Sequence, residues 1–257
     1  MCVAAFAWNA HPRWRLLLAG NRDEFHARPS AALARWDDPP GIVGGRDLTA
    51  GGTWLGIDGR GRCALVTNVR DLRHPHDGHS RGLLASDYLG GDDGALAHAQ
   101  ALLPHAAGYR PFNLLLFDRH ACAWVCNLPR AQLEIPGDGV HVLSNARLDT
   151  PWPKAARLGE QLQDCLDIDG GDDFGPLFDA LADETRYPDE LLPDTGIGLE
   201  RERWLSAAFI RGEDYGTRAQ TVVTIDHAGN GTMVERRFGP MGAIQGETRM
   251  AIAATGS

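Results

Sequence analysis

The sequence predicts a mixed α+β domain built mainly from antiparallel strands. Its 257 residues combine 43% hydrophobic with 23% charged side chains, which is ordinary for a globular chain. The predicted elements come in blocks, strands then helices then strands again, and short turns join most of the strands. No linker, internal repeat or low-complexity tract interrupts residues 1–257, so we expect one domain.

Each element follows from an apolar run bounded by turn-forming residues. Asp58-Gly59-Arg60-Gly61 is typical of a tight turn between strands, and Ser80 is placed to cap a helix. The pattern breaks at Arg28-Pro29-Ser30 and resumes at Ile42. Strands are predicted over residues 2–8, 14–20, 42–43, 53–57, 63–68, 112–117, 122–128, 140–143, 206–211, 220–225 and 233–238. Helices are predicted over residues 80–89, 95–103, 153–166 and 174–182.

Charge and cysteine content exclude several classes of partner. A formal net charge of −9 disfavours nucleic acid and anionic membrane surfaces, because both need a positive footprint. Five scattered cysteines do not form a disulfide framework, so a reducing cytoplasm is expected. The N-terminus does not resemble a signal peptide, and no apolar run approaches the ~20 residues of a membrane span.

The basic residues are almost all of one type. Of the 25 lysines and arginines, 24 are arginine, and Lys154 is the single lysine. One arginine alone is therefore weak evidence of function, and lysine-based chemistry has one candidate.

Cys2 follows the initiator methionine directly. A small side chain at this position permits removal of Met1, so Cys2 can become the first residue of the mature chain. Its free α-amino group, with a pKa of about 7.7–8.0, could then take the proton of its own thiol. The alternative is that Cys2 is a small apolar residue beginning a buried strand, where free cysteines usually lie.

Four polar residues, 21–24, end an apolar strand that is expected to pair with the Cys2 strand. In extended backbone Arg22 and Glu24 share one face, and Asn21 and Asp23 share the other. Arg22 near Cys2 would favour the thiolate. The alternative is a polar turn held by an arginine–carboxylate pair.

Two further features could contact a ligand. Trp54 lies between glycines and could wall a cleft, or it could pack one sheet on the other. His74, His76, Asp77 and His79 could ligate a metal, but the neighbouring proline and glycine indicate a solvated loop without fixed geometry. We therefore expect no metal site.

The string Asn21-Arg22-Asp23-Glu24-Phe25, followed by Arg28-Pro29, resembles the NRDE family, also called the transport and Golgi organisation protein 2 family. Other segments resemble the same family in the same order. They are Met1-Cys2, Gly51-Gly52-Thr53-Trp54-Leu55-Gly56, Leu65-Val66-Thr67-Asn68, Leu143-Ser144-Asn145 and Tyr215-Gly216-Thr217-Arg218. Together with a strand ending at Asp226 they cover nearly the whole chain.

The resemblance implies membership of the N-terminal-nucleophile hydrolase superfamily. It therefore implies a four-layer αββα sandwich, with two antiparallel sheets face to face and helices outside. The terminal nucleophile of that fold lies in a cleft between the sheets.

The resemblance also implies roles for individual residues, because the bile salt hydrolase and penicillin V acylase group of that fold begins with a cysteine. By position, Cys2 is similar to their nucleophile and Arg22 to the arginine beside it. Asn68 and Asn145 look like the two oxyanion donors. Arg203 looks like the later arginine.

One departure from those amidases leaves the acidic residue open. Their aspartate follows the first arginine by three positions, where this chain has Phe25. Asp23 and Glu24 are the candidates, and a shift of one residue reverses the face of a strand. Arg218 is the rival to Arg203, and the expected substrate contacts are Glu24, Trp54 and Arg218.

Two functions fit these residues. The first is an N-terminal cysteine hydrolase or acyl-transfer enzyme that acts on a small amide or thioester, a non-peptide C–N bond in the amide case, and requires no cofactor. The second is a non-catalytic carrier of haem, lipid or acyl-CoA, since members of the family have been linked to haem trafficking and acyl-CoA homeostasis. Either function implies a small-molecule ligand, and neither fixes the oligomeric state.

Overall fold

The computed structural model describes residues 2–73, 78–167 and 173–254. The strands are β1 (Cys2–Trp8), β2 (Trp14–Phe25), β3 (Ser30–Asp37), β4 (Pro40–Asp47), β5 (Leu55–Asp58), β6 (Cys63–Asn68), β7 (Phe112–Phe117), β8 (Cys122–Cys126), β9 (Gln132–Glu134), β10 (Gly139–Leu143), β11 (Tyr215–Asp226), β12 (Gly231–Phe238) and β13 (Ile244–Ile252). The helices are α1 (Leu84–Gly90), α2 (Ala95–Leu102), α3 (Pro153–Asp167), α4 (Gly175–Leu181) and α5 (Leu199–Trp204).

These strands form two antiparallel sheets. The first has the order β10-β1-β2-β11-β12-β13, and the second has the order β3-β4-β5-β6-β7-β8-β9. Every pairing of the named strands is antiparallel. The predicted α+β class with antiparallel sheets is confirmed.

Three apolar clusters define four layers. Because side chains alternate along a strand, β1 sends Ala4, Phe6 and Trp8 toward the second sheet. Its other face, Val3 and Ala5 among them, packs against α3, and α4 packs on the same side of the sheet against β2 and β11. The outer face of the second sheet packs against α1 and α2 in a third cluster. The layer order is therefore αββα, as the family resemblance implied.

Strand register gathers the polar strand ends at one end of the sandwich. Cys2 pairs with Arg22 in the first sheet. On the other side of β1, Ala4 pairs with Leu143, so β10 also ends here. The second sheet contributes the end of β6 at Asn68.

The structure differs from the predicted elements at its edges. The strands β3 and β13 were not predicted, because both are largely exposed and lack a continuous apolar run. The strand predicted over residues 206–211 is wrong: this buried segment is irregular and follows α5. Its backbone forms single hydrogen bonds to different partners instead of a strand ladder: the carbonyl of Ala208 accepts from Asn21 Nδ2, and the carbonyl of Ile210 accepts from the backbone N–H of Thr217.

No helix in the described ranges is both long and apolar enough to cross a membrane, and α3, with 15 residues, is the longest of them.

The core between the sheets gives a first prediction. Leu65 is fully buried there. We expect Leu65→Ala to lower the free energy of unfolding by about 2–5 kcal/mol, because it leaves a cavity that a packed core fills poorly. Leu191→Ala removes the same atoms from a side chain that is 55% exposed, and it is expected to change stability by about 0.5 kcal/mol at most. Urea unfolding measures both, and equal losses would contradict this placement of the core.

Candidate active site

A cleft of about 380 Å³ opens at the end of the sandwich where Cys2 lies. The first sheet contributes Cys2 and Arg22 to its lining, and the second contributes Asn68, with Trp54 just before β5. Cys2 is only 7% exposed, so its thiol lies at the base of the cleft. Both sheets therefore contribute side chains around one thiol.

Neighbouring residues form hydrogen bonds with both the backbone and the thiol of Cys2. The carbonyl of Cys2 accepts a hydrogen bond of 2.9 Å from Ser144 Oγ. The backbone N–H of Asp23 donates a hydrogen bond to the thiol. Burial raises the pKa of the Cys2 thiol, and the charge of Asp23 raises it further, whereas Arg22 lowers it. The thiol therefore needs a base to become a nucleophile near neutral pH.

Residues 21–24 alternate between two environments, as expected for a strand. Asn21 is fully buried and donates to the carbonyls of Leu181 and Ala208, at 2.8 Å each. It therefore ties β2 to the end of α4 and to the segment after α5. Arg22 and Glu24 line the cleft, 3.8 Å apart.

Asp23 is the carboxylate that lies next to Cys2. It is 2% exposed, and its Oδ1 accepts a hydrogen bond of 2.7 Å from Thr217 Oγ1. Burial raises the pKa of Asp23, and the nearby charges of Lys154 and Arg22 oppose that increase. Glu24 lies further out in the cleft, 3.8 Å from Arg28.

The two asparagines have different positions. Asn145 is fully buried, and its Nδ2 donates to the backbone oxygen of Asn68 at 3.0 Å and to Oδ1 of Asn68 at 2.9 Å. Both N–H groups of the Asn145 amide are thereby used. Asn68 lines the cleft, and within the described chain its own Nδ2 donates no hydrogen bond. Asn68 therefore has an amide donor available at the cleft, and Asn145 holds both of its oxygens.

The structure brings most of the predicted site residues together. The cleft is lined by Cys2, Arg22, Asp23, Glu24, Trp54, Asn68 and Arg218. Arg203 is not brought there: its side chain is 41% exposed on α5 and forms two hydrogen bonds, of 2.7 and 2.8 Å, with Asp189. Arg218 is held at the cleft by the carbonyls of Phe25 and Arg28 and by Ser30 Oγ.

Two buried cations near the site, Arg70 and Lys154, were not among the predicted site residues. Arg70 forms a buried ion pair of 2.7 Å with Glu202, and its backbone N–H donates to the carbonyl of Asn145 at 2.7 Å. Arg70 follows Asn68 by two residues, which is the only sequence signal that could have found it. Lys154 at the start of α3 is 3% exposed and donates to the carbonyl of Leu205 at 2.9 Å.

Burial lowers the pKa of Lys154 to about 8, although the charge of Asp23 opposes that decrease. The unfolded chain, whose lysine has an ordinary pKa of about 10.4, then binds more protons than the folded chain between pH 8 and 10.4. Stability contributed by this group rises with pH in that window. Relative to Lys154→Met, the wild type should gain up to about 3 kcal/mol of unfolding free energy from pH 8 to 10.4.

Chemical denaturation across that pH range measures the difference between the two proteins. Arg157→Met, on the exposed side of the same helix, is the control and should differ from the wild type by a constant amount. A flat difference for Lys154→Met would show that Lys154 is not buried as a titrating group.

The cleft carries more positive than negative side chains. Among the described residues that line it, seven are arginine and four are carboxylates, in a chain whose net charge is −9. These arginines are Arg22, Arg28, Arg46, Arg81, Arg110, Arg218 and Arg237. The local charge therefore favours an anionic ligand.

No group of three or more metal-binding side chains occurs in the part of the chain that the structure describes. Most of the histidine-rich segment that was considered as a metal site cannot be compared with the structure, because residues 74–77 lie outside the described ranges.

Two facing antiparallel sheets, helices on both outer surfaces and a cysteine at position two in the cleft define the N-terminal-nucleophile hydrolase fold. A mutant C2A conjugated bile acid hydrolase from Clostridium perfringens has a similar structure, with a TM-score of 0.54 and 9% identity over 98% of this chain and 92% of that one. An N-acylethanolamine-hydrolyzing acid amidase ortholog from Caenorhabditis elegans has a TM-score of 0.50 and 10% identity, over 86% of this chain and 92% of that one. Identities this low support the fold alone.

The chain belongs to the Transport and Golgi organisation 2 family, whose profile matches residues 1–240. The human Transport and Golgi organization protein 2 homolog is 31% identical over 97% of both chains. The mouse homolog is 31% identical over 92% of both chains, and the Drosophila melanogaster protein is 25% identical over 88% of both. The resemblance found in the sequence is confirmed.

Proposed function

We propose that this protein is an N-terminal cysteine hydrolase or acyl-transfer enzyme that acts on a small amide or thioester. One observation carries the proposal: the Cys2 thiol lies at the base of a cleft beside Arg22, with the Asn68 amide on the facing sheet. A thiol, a cation and an amide donor thus line one cleft, which supports the proposal. The proposal also requires removal of Met1, which lies outside the described residues.

The first half-reaction forms an acyl-enzyme. The α-amino group of processed Cys2 takes the thiol proton as Sγ attacks the carbonyl carbon. A C–S bond forms, and the carbonyl oxygen becomes an oxyanion that accepts a hydrogen bond from Asn68 Nδ2. The bond to the leaving group then breaks, and the α-ammonium returns its proton to the departing amine or thiol.

The second half-reaction releases the acyl group. Water gives a proton to the α-amino group and attacks the thioester carbonyl; the C–S bond then breaks, and the α-ammonium returns that proton to sulfur, which regenerates the thiol and the free amine. The buried carboxylate of Asp23 stabilises the ammonium that forms in both halves. An acceptor amine or thiol in place of water would give acyl transfer.

The arginine-rich lining indicates the substrate's charge. A carboxylate or phosphate on the substrate can pair with the arginines that have no carboxylate within 4 Å in the described chain, such as Arg81 and Arg110. We therefore propose an anionic amide or thioester. All five cysteines are free, which fits a reducing compartment, and the cytoplasm is the proposed location.

Covalent labelling tests the proposal. Protein with Met1 removed is mixed with a panel of acyl electrophiles, some carrying a carboxylate, and the adduct is located by mass spectrometry. We expect one acyl group on Cys2, absent in Cys2→Ala and retained in Cys165→Ala, which removes the only partly exposed one of the other cysteines. No adduct on proven free Cys2, or equal labelling of Cys2→Ala, would overturn the proposal.

The carrier function makes a different demand on the cleft. Haem or a lipid chain needs a mostly apolar lining, whereas this cleft is ringed by arginines. The same samples mixed with haemin separate the two functions. A Soret band that is lost in Cys2→Ala, together with no acyl adduct, would favour the carrier.

A further inference from the structure

Two hairpin turns, one from each sheet, touch at the end of the sandwich remote from Cys2. Gly61 and Gly229 have φ of 70° and 95°, and a side chain on Gly61 would lie 3.1 Å from the Cα of Gly229. Arg15 on β2 reaches this contact and is seven residues from Arg22, about 23 Å along the strand. The two sheets therefore close on each other here without an intervening side chain.

A recess beside this contact is lined by positive side chains. Its volume is about 380 Å³, and no carboxylate occurs among the described residues that line it. They are Asn9, Arg15, Arg60, Arg119, His227, Ala228 and Gly229. This recess shares no lining residue with the Cys2 cleft.

Arg15 is a buried cation with few partners. It is 5% exposed, and one of its N–H groups donates to the carbonyl of Gly61 at 3.0 Å. Across the described residues that is the one hydrogen bond of its guanidinium, and no carboxylate oxygen lies within 4 Å of that group. A guanidinium has five N–H donors, and buried charges are normally paired. The remaining donors border the recess.

The charged residues around Arg15 do not form an ion pair with its guanidinium. Arg119, at the rim, forms no ion pair with the described chain, and its charge opposes that of Arg15. Asp118 and Asp226 are the acids whose charges favour the Arg15 cation. Asp118 accepts hydrogen bonds from the backbone N–H groups of its own turn, and Asp226 accepts one from the backbone of Asn230.

Arg60 and His227 complete the lining and leave its charge positive. Arg60 is already paired with Asp58 and Asp92. His227 contacts the carbonyl of His11 at 3.1 Å.

We infer that this recess is a binding site for a phosphate-type oxyanion, held by Arg15 from within and by Arg119 at the rim. Guanidinium groups match the planar oxygen pairs of such anions. The recess is larger than one phosphate, so it also admits the organic part of a small phosphate monoester. This site is independent of the proposed hydrolase chemistry at Cys2.

Calorimetric titration with inorganic phosphate, and separately with glycerol 3-phosphate, tests the inference. Arg119→Gln changes an exposed side chain, so the fold is preserved, and it should weaken binding about tenfold. Arg15→Gln should abolish binding at the recess. Arg110→Gln is the matched control: it can weaken only a second phosphate at the Cys2 cleft, and it should leave the affinity of the binding event that Arg15→Gln abolishes unchanged.

The two ligands distinguish the source of the anion, since tighter binding of the ester would show that the organic part is also contacted. Absence of binding in the wild type would overturn the inference. So would binding that is lost in Arg110→Gln but retained in Arg119→Gln, because that result would place the anion in the Cys2 cleft.

Discussion

A single glycine placed before Cys2 is expected to lower turnover of an amide or thioester substrate by about 10²–10⁴-fold, the usual contribution of a positioned acid–base group. The extension leaves the thiol in the chain but converts its α-amino group into a peptide N–H that cannot accept a proton. Burial raises the pKa of the Cys2 thiol, so no other route gives much thiolate near neutral pH. Both proteins can be released from the same cleavable leader and compared by steady-state kinetics.

Two controls accompany that comparison. Thiol titration after unfolding should give the same number of free cysteines in both proteins, and the circular dichroism spectra should coincide. Turnover that is unaffected by the glycine would remove the α-amino group from the mechanism.

The second large effect is expected from Asn68→Ala. Loss of one oxyanion donor typically costs about 10²–10³ in kcat, and Asn68 Nδ2 is the donor that the structure leaves available at the cleft. Its KM should change little, because the interaction is strongest in the transition state. Asn68→Asp keeps the shape but removes the donor, so it should lose at least as much.

Asn145→Ala tests whether Asn145 acts through Asn68. Because Asn145 donates to both oxygens of Asn68, the single change should lower kcat, while the double variant should fall little below Asn68→Ala. Multiplicative losses would mean that Asn145 contacts the reacting atoms itself. A kcat within threefold of the wild type for Asn68→Ala would remove it from the oxyanion site.

The alternation of residues 21–24 could be predicted from the sequence, because the two faces of a strand follow from its period of two. The identity of the carboxylate beside Cys2 could not. It depends on Thr217, which belongs to β11 nearly 200 residues away and whose hydroxyl donates a hydrogen bond to Asp23. Sequence spacing carries no information about that contact.

The sequence also could not predict which basic residues lie near the site. Arg203 was expected at the site through resemblance, but α5 turns it outward to Asp189. Arg70 is the buried arginine instead, since α5 presents Glu202 to it. Lys154 was recognised as the single lysine, and only the packing of α3 on β1 shows that it is buried near Asp23.

The most direct test of the central claim is the rate of alkylation of Cys2 as a function of pH, with and without Met1. Protein that retains Met1 can be trimmed in vitro by a methionine aminopeptidase, so both forms come from one preparation. With Met1 in place, reaction should rise only above pH 9, since burial raises the pKa of this thiol from an ordinary value of 9.0. After trimming, the free amine should accept the thiol proton, so that alkylation of Cys2 already proceeds below about pH 8. Identical profiles for both forms would contradict the account.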